Sequence, residues 1–138
     1  IESMGLKLIL NNIYGIYSTV DKIDFNYLPN KFVIKDTLGG GGNQVILCKN
    51  KKELNLDEIK KRLNDWLETS LVRSGGREWP YYSGKKHRIL IEEYLGVEGE
   101  SLNDYKFCCF EGKVYYVFLF TERDFGKSVK NCQCTVYK

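Results

Sequence analysis

The stretch Leu28-Pro29-Asn30-Lys31-Phe32-Val33-Ile34-Lys35 runs through Asp36-Thr37-Leu38 into Gly39-Gly40-Gly41-Gly42-Asn43, and Gln44-Val45-Ile46-Leu47-Cys48 follows. Pro29-Asn30 is a turn signal, and Phe32-Val33-Ile34 is a short aromatic and β-branched run, so a strand ends near Lys35. The glycines break it, and Gln44 to Cys48 resumes as a second strand. The product is a hairpin with an unusually glycine-rich connection. Glycine loses more backbone freedom on folding than any other residue, so four in succession belong where backbone must approach something closely. Successive amide N–H groups without Cβ atoms suit anionic oxygens, phosphate above all. Lys35, at the end of the strand that leads into the loop, places an ammonium beside the same oxygens. Taken one at a time, the glycines also read as a plain hairpin tip and Lys35 as a solvated strand-end lysine.

Order along the chain separates the nucleotide-binding folds. A Walker loop ends in Gly-Lys-Ser/Thr with a helix after it, whereas Asn43-Gln44 and a strand follow here. A dinucleotide fingerprint also needs a helix after the glycines, and position 44 is Gln where its last glycine belongs. In protein kinases the glycine loop precedes the lysine strand, and here the lysine comes first.

Outward from this hairpin, Leu54 to Ser70 reads as a helix. Asn55 is placed to cap it with Glu58 three residues on, and Ile59, Leu63, Trp66 and Leu67 recur with helical spacing. Leu6 to Ile16, interrupted by Asn11-Asn12 and Gly15, reads as a strand or loop feeding the domain. Arg73 to His87 reads as a loop or short irregular helix, with His87 an unremarkable member beside Lys85, Lys86 and Arg88. Arg88 to Leu95 resumes β character. Glu92 and Tyr94 fall on one face of it and Glu93 and Leu95 on the other, the plain alternative being an exposed edge strand. Further strands are expected over Asp104 to Phe110, Lys113 to Thr121 and about Cys132 to Tyr137, with Glu111-Gly112 closing the first two into a hairpin. Asp104 and Lys106, two apart, project to the same face. This order of elements is α+β.

The composition is that of an ordinary globular protein, 43% hydrophobic, 28% charged and 14% aromatic over 138 residues, and predicts one domain. A net charge of +3 with dispersed lysines carries no nucleic-acid stripe. Five Cys in an odd set without CxxC spacing, and one His, leave no zinc site. The apolar surroundings of Cys48, Cys108 and Cys109 read as buried thiols in a reducing cytoplasm. No stretch has the roughly 20 apolar residues of a membrane span. The chain starts at Ile1 and stops within a strand at Cys132 to Lys138, so both ends read as cut from a longer protein.

A strand ending in lysine, a glycine loop, a second strand, a helix and a later strand of the form Ile91-Glu92-Glu93-Tyr94-Leu95 together resemble the ATP-grasp superfamily. More closely, LPNKFVIK, the glycine loop, the Trp-bearing helix, HRILIEEYLG and NDYKFCCFEGKVYYVFLFTERD resemble its TupA-like family, over about Ile23 to Asp124. That family is named for teichuronopeptide synthesis and is common among bacterial surface-polysaccharide genes. The resemblance implies an ATP-grasp core. Residues about 20–92 would form a small antiparallel subdomain with the glycine-loop hairpin and one helix, and about 93–138 the start of a second antiparallel sheet, with adenine between them. It implies that Lys35 binds the α and β phosphates, that Gly39, Gly40, Gly41 and Gly42 close over them, and that backbone groups of Glu93 and Leu95 read adenine, an acidic side chain of the Glu92-Glu93 pair serving the ribose. Lys106 resembles a phosphate-contacting arginine of related ligases, with the charge kept but the bidentate fork lost. Arg123 resembles the arginine near the transferred phosphoryl group, although a surface cluster of Glu122, Arg123 and Asp124 reads equally well.

ATP and Mg²⁺ are the implied cofactors, the metal ligands being expected beyond the C-terminal end. The implied activity is ATP-dependent carboxylate–amine ligation in bacterial cell-surface polysaccharide or teichuronopeptide biosynthesis, with glycan-linked acceptors as partners. The alternatives are a capsular polysaccharide glycosyltransferase, for whose DxD-type metal pair no suitably spaced Asp-x-Asp occurs outside Asp21 to Asp24, and a non-catalytic nucleotide-binding module.

Overall fold

The computed structural model describes residues 2–39, 44–69, 84–96, 102–122 and 132–138. Seven strands and one α-helix are defined there: β1 (Ile13–Tyr17), β2 (Phe32–Asp36), β3 (Val45–Cys48), α1 (Leu56–Glu68), β4 (Ile89–Glu93), β5 (Asp104–Phe110), β6 (Lys113–Thr121) and β7 (Gln133–Tyr137). The mixed α+β composition and the strand–glycines–strand–helix–strand order agree with the reading of the sequence. The chain divides into two compact units, 1–94 and 95–138.

In the first unit four antiparallel strands lie in the order β1-β4-β2-β3. Strand β4 is therefore internal, flanked by β1 and β2, and the edge-strand alternative for Glu92-Glu93 does not hold. The register assigns the side chains to faces. Phe32, Ile34 and Asp36 share one face with Ile89, Ile91 and Glu93 and with Cys48 and Ile46. That face carries the core, in which Phe32, Ile34, Leu63, Ile89 and Ile91 are fully buried and Val20, Phe25, Leu28, Ile59 and Trp66 close over them.

Helix α1 forms for the reasons its sequence supplies. The Asn55 side chain accepts from the Glu58 N–H, satisfying one orphan donor of the first turn, with Asp57 and Glu58 at the favourable end of the helix dipole. Ile59, Leu63 and Trp66 are its buried residues, and each such side chain contributes about 1.5–3 kcal/mol on leaving water. The region expected as a strand or loop, Leu6 to Ile16, is a short 3₁₀ turn at Lys7–Ile9 followed by β1, the Asn11-Asn12 break falling between them. Lys51 acts as a staple: its ammonium donates to the Phe25, Asn26 and Leu28 carbonyls at 3.2, 3.0 and 2.6 Å, holding the turn that leads into β2.

The described residues of the second unit form a three-stranded antiparallel sheet in the order β5-β6-β7. Glu111 and Gly112 both have positive φ, at 49° and 75°, so the connection between β5 and β6 is the tight two-residue turn expected from the Glu-Gly pair. Cys48 is buried as anticipated, but Cys108 and Cys109 are exposed. Their apolar neighbours in sequence lie on a strand that is itself exposed along most of its length, and a register shift separates the two cysteines.

Candidate functional site

The second face of the first sheet is chemically distinct from the core face. It carries Val33 and Lys35 from β2, Leu90 and Glu92 from β4, Val45 and Leu47 from β3, and Ile13 and Ile16 from β1. Ile13 and Ile16 are exposed, and Leu90, Val45 and Leu47 are only partly buried. The result is a largely apolar surface with two charged groups at its middle.

Those two groups are paired. Lys35 stands opposite Leu90 and Glu92 opposite Val33, so the two lie diagonally across the β2–β4 ladder on one face, and the Lys35 ammonium donates to Glu92 Oε1. The Lys35 side chain is 39% exposed and that of Glu92 11%. A strongly sequestered carboxylate thus holds a half-exposed ammonium at the rim of the sheet, at the last but one residue before the chain leaves β2. A buried charge is costly unless paired, which is why Glu92 takes this partner. The ammonium retains N–H groups directed away from Glu92 and is able to meet a further anion.

Immediately beyond Lys35 the stem of the glycine connection is tightly built. The Asp36 N–H donates to the Gln44 carbonyl at 3.1 Å, the Gly39 N–H to the Asp36 carbonyl at 3.2 Å, and the Leu38 N–H to Asp36 Oδ1 at 3.0 Å. A Cβ on Gly39 would sit 2.8 Å from Gln44 Cβ and 3.3 Å from Asp36 Cβ, so only glycine fits where the two arms of the hairpin converge. Gly39 therefore has a packing reason for being glycine, independent of any ligand. Gly40, Gly41 and Gly42 lie outside the described residues.

Glu93 points the other way. It faces the core side of the sheet opposite Phe32, and its Oε2 accepts from the Asn12 side-chain amide at 2.7 Å while its backbone N–H donates to the Asn12 carbonyl at 2.9 Å. Only Glu92 of the acidic pair therefore stands beside Lys35. Leu95 and Lys106 belong to the second unit, where Leu95 is exposed. Lys106 lies on β5 with Asp104 Oδ2 3.8 Å away and the Phe120 ring centroid at 4.9 Å, confirming that positions 104 and 106 share a face. Arg123 lies outside the described residues.

A pair that the sequence reading passed over is the most enclosed polar contact among the described residues of the first unit. His87 Nδ1 is 2.6 Å from Asp36 Oδ2, with side-chain exposures of 6% and 0%. Strand parity was the available signal: Asp36 continues the core-facing series Phe32, Ile34, Asp36, and a carboxylate in that register requires a partner. Among the described residues no group of three or more His, Cys, Asp or Glu side chains is gathered where a metal ion could be held.

The family profile described as TupA-like ATPgrasp matches residues 2–136, nearly the whole chain. The chain belongs to the TupA-like ATP-grasp family. No curated protein and no solved structure matches it. The match begins ahead of β1 and runs into β7, so both units of this TupA-like ATP-grasp chain are family structure. Among the described residues no helix is long and apolar enough to cross a membrane.

Proposed function

We propose that this TupA-like ATP-grasp chain binds ATP, with Lys35 on the β and α phosphates and Gly39, Gly40, Gly41 and Gly42 in the adjoining connection, and that it serves an ATP-dependent carboxylate–amine ligase. The observation that carries the reading is the Lys35–Glu92 pair: a half-exposed ammonium, held by a nearly buried carboxylate, on an apolar sheet face at the mouth of a glycine connection. A positive group oriented in advance costs little reorganisation when an anion arrives, which is how such sites contribute to phosphoryl transfer.

Within this reading the apolar side chains Val45, Leu47 and Leu90 border the ammonium and limit water around it, which strengthens its attraction to phosphate oxygens. Glu92 orients Lys35, and backbone groups of Glu93 are the proposed contact to adenine. The chemistry supplied by ATP is activation of a carboxylate as an acyl phosphate, which an amine then captures. Among the described residues the carboxylates do not gather into a Mg²⁺ site. The acceptor we propose is a precursor of a bacterial cell-surface polysaccharide or teichuronopeptide, the role after which the family is named, handled in the cytoplasm.

Calorimetric titration of the 138-residue chain with a non-hydrolysable ATP analogue, alongside GTP and a nucleotide sugar, tests the reading. Saturable heat with the ATP analogue that is weaker for GTP and absent for the sugar is expected. Binding of the nucleotide sugar in preference would transfer the assignment to glycosyl transfer.

A further inference from the structure

The buried Asp36–His87 pair has no part in the binding reading, yet it sits directly behind it. Asp36 follows Lys35 in β2, and alternation sends the two side chains to opposite faces of the sheet. On the outer face Lys35 meets Glu92; on the inner face Asp36 meets His87 at 2.6 Å. Asp36 is moreover the hub of the stem. Its N–H reaches Gln44, its carbonyl receives Gly39, its Oδ1 receives the Leu38 N–H, and its Oδ2 receives the His87 Nδ1–H. The next residue repeats the attachment to the same segment, since the Thr37 N–H donates to the Arg88 carbonyl at 2.9 Å and Thr37 Oγ1 accepts from the Arg88 N–H at 3.1 Å.

We infer that His87 is a positioning residue for nucleotide binding: by anchoring Asp36 in the core it fixes the end of β2, and so the placing of Lys35 and of the glycine stem. The inference rests on the ATP-binding reading. The physical ground is that a carboxylate on an apolar face is tolerated only while it is hydrogen-bonded. Without the imidazole donor, Asp36 Oδ2 loses its partner among Ile34, Ile89 and their neighbours, and the carboxylate relieves this by turning toward water. The turn pulls on the Leu38 and Gly39 bonds and rotates the residue that precedes them. His87 Nε2 has no partner among the described residues, so the ring is held through Nδ1.

The test uses the 138-residue chain with three substitutions, each measured for affinity toward a non-hydrolysable ATP analogue and for thermal unfolding. His87→Asn keeps an amide N–H near the Nδ1 position, His87→Gln moves its donor one bond farther out, and His87→Ala removes it. Expected is at least about tenfold weaker binding for the Ala and Gln variants, under conditions where unfolding curves show them folded, with the Asn variant within about threefold of the unsubstituted chain. A purely structural histidine would lower unfolding temperatures while leaving the affinity of the folded protein unchanged, and that result overturns the inference. If His87→Ala does not fold, the Asn and Gln pair decides, because equal affinity for Gln and the unsubstituted chain overturns it too. An unsubstituted chain without affinity for the analogue removes the ATP reading and this inference together; intact binding unaffected by His87 removes this inference alone.

Discussion

Lys35 and Glu92 face each other diagonally across the β2–β4 ladder, with the carboxylate almost wholly enclosed and the ammonium half in water. The asymmetry gives the two partners different consequences on removal. Lys35→Met leaves a sequestered carboxylate without its counter-charge, and after allowance for solvent screening at the exposed ammonium the cost is about 1 kcal/mol. Glu92→Gln in the same background relieves most of that cost. Urea denaturation of the two single variants and the double variant yields the coupling, and a coupling near zero contradicts the pairing. If Lys35 serves the proposed ATP site, affinity for the ATP analogue is expected to fall at least about tenfold in both chains lacking it, equivalent to about 1.4 kcal/mol.

Gly39 is the point at which the arms of the glycine hairpin meet. An alanine there places Cβ 2.8 Å from Gln44 Cβ, a separation that neither backbone arm accommodates without moving. Gly39→Ala is expected to destabilise the first unit by about 1–3 kcal/mol, the range for overpacking a well-fitted position. The urea midpoint measures it, and an unchanged midpoint means the stem is looser than described.

Helix α1 offers two independent losses of different size. Asn55→Ala removes the cap on the Glu58 N–H and costs about 1 kcal/mol. Leu63→Ala empties a fully buried position between helix and sheet and costs about 2–5 kcal/mol. Comparison by urea denaturation should preserve that order, and a larger loss for the cap would show that α1 is held more by its end than by its face.

Burial pushes the Cys48 thiol above its ordinary range, against the opposing pull of backbone groups at Phe32 and Asn50 and of Lys51. The unfolded chain ionises this thiol more readily than the folded one. Its contribution to stability is therefore complete below about pH 8.5, the unfolded value, and is lost as pH rises toward the higher folded value. Urea denaturation should show a decline above pH 8.5 that is smaller in Cys48→Ala; identical declines would exclude a contribution from this thiol. Iodoacetamide should modify the exposed Cys108, Cys109 and Cys134 in the native chain and Cys48 only after unfolding, which peptide mapping reads directly.

Much of this was legible in the residues themselves. The break at the glycines, the β-branched run before them, the capped helix with its Ile59, Leu63 and Trp66 stripe and the Glu111-Gly112 turn are local signals. Each is a preference of backbone or side chain expressed within a few residues, and β2, β3, α1 and the turn between β5 and β6 formed where they were expected. Lys35 could be singled out because chain order alone placed it at the neck of the connection.

The two hairpin pairings were legible, but the pairing of β4 with β1 and β2 was not, because it depends on which strands become neighbours over separations of fifty residues and more. The internal position of β4 buried Glu92 and brought it to Lys35, while the same alternation turned Glu93 toward Asn12. The exposure of Cys108 and Cys109 likewise followed from the sheet they joined and not from their apolar neighbours. His87 looked like an ordinary loop residue until the fold laid it beside Asp36. Local sequence determined where strands and helix begin and end, since propensity and capping act at short range; the tertiary structure alone decided which charges meet, because burial and partnership are properties of the assembled sheet.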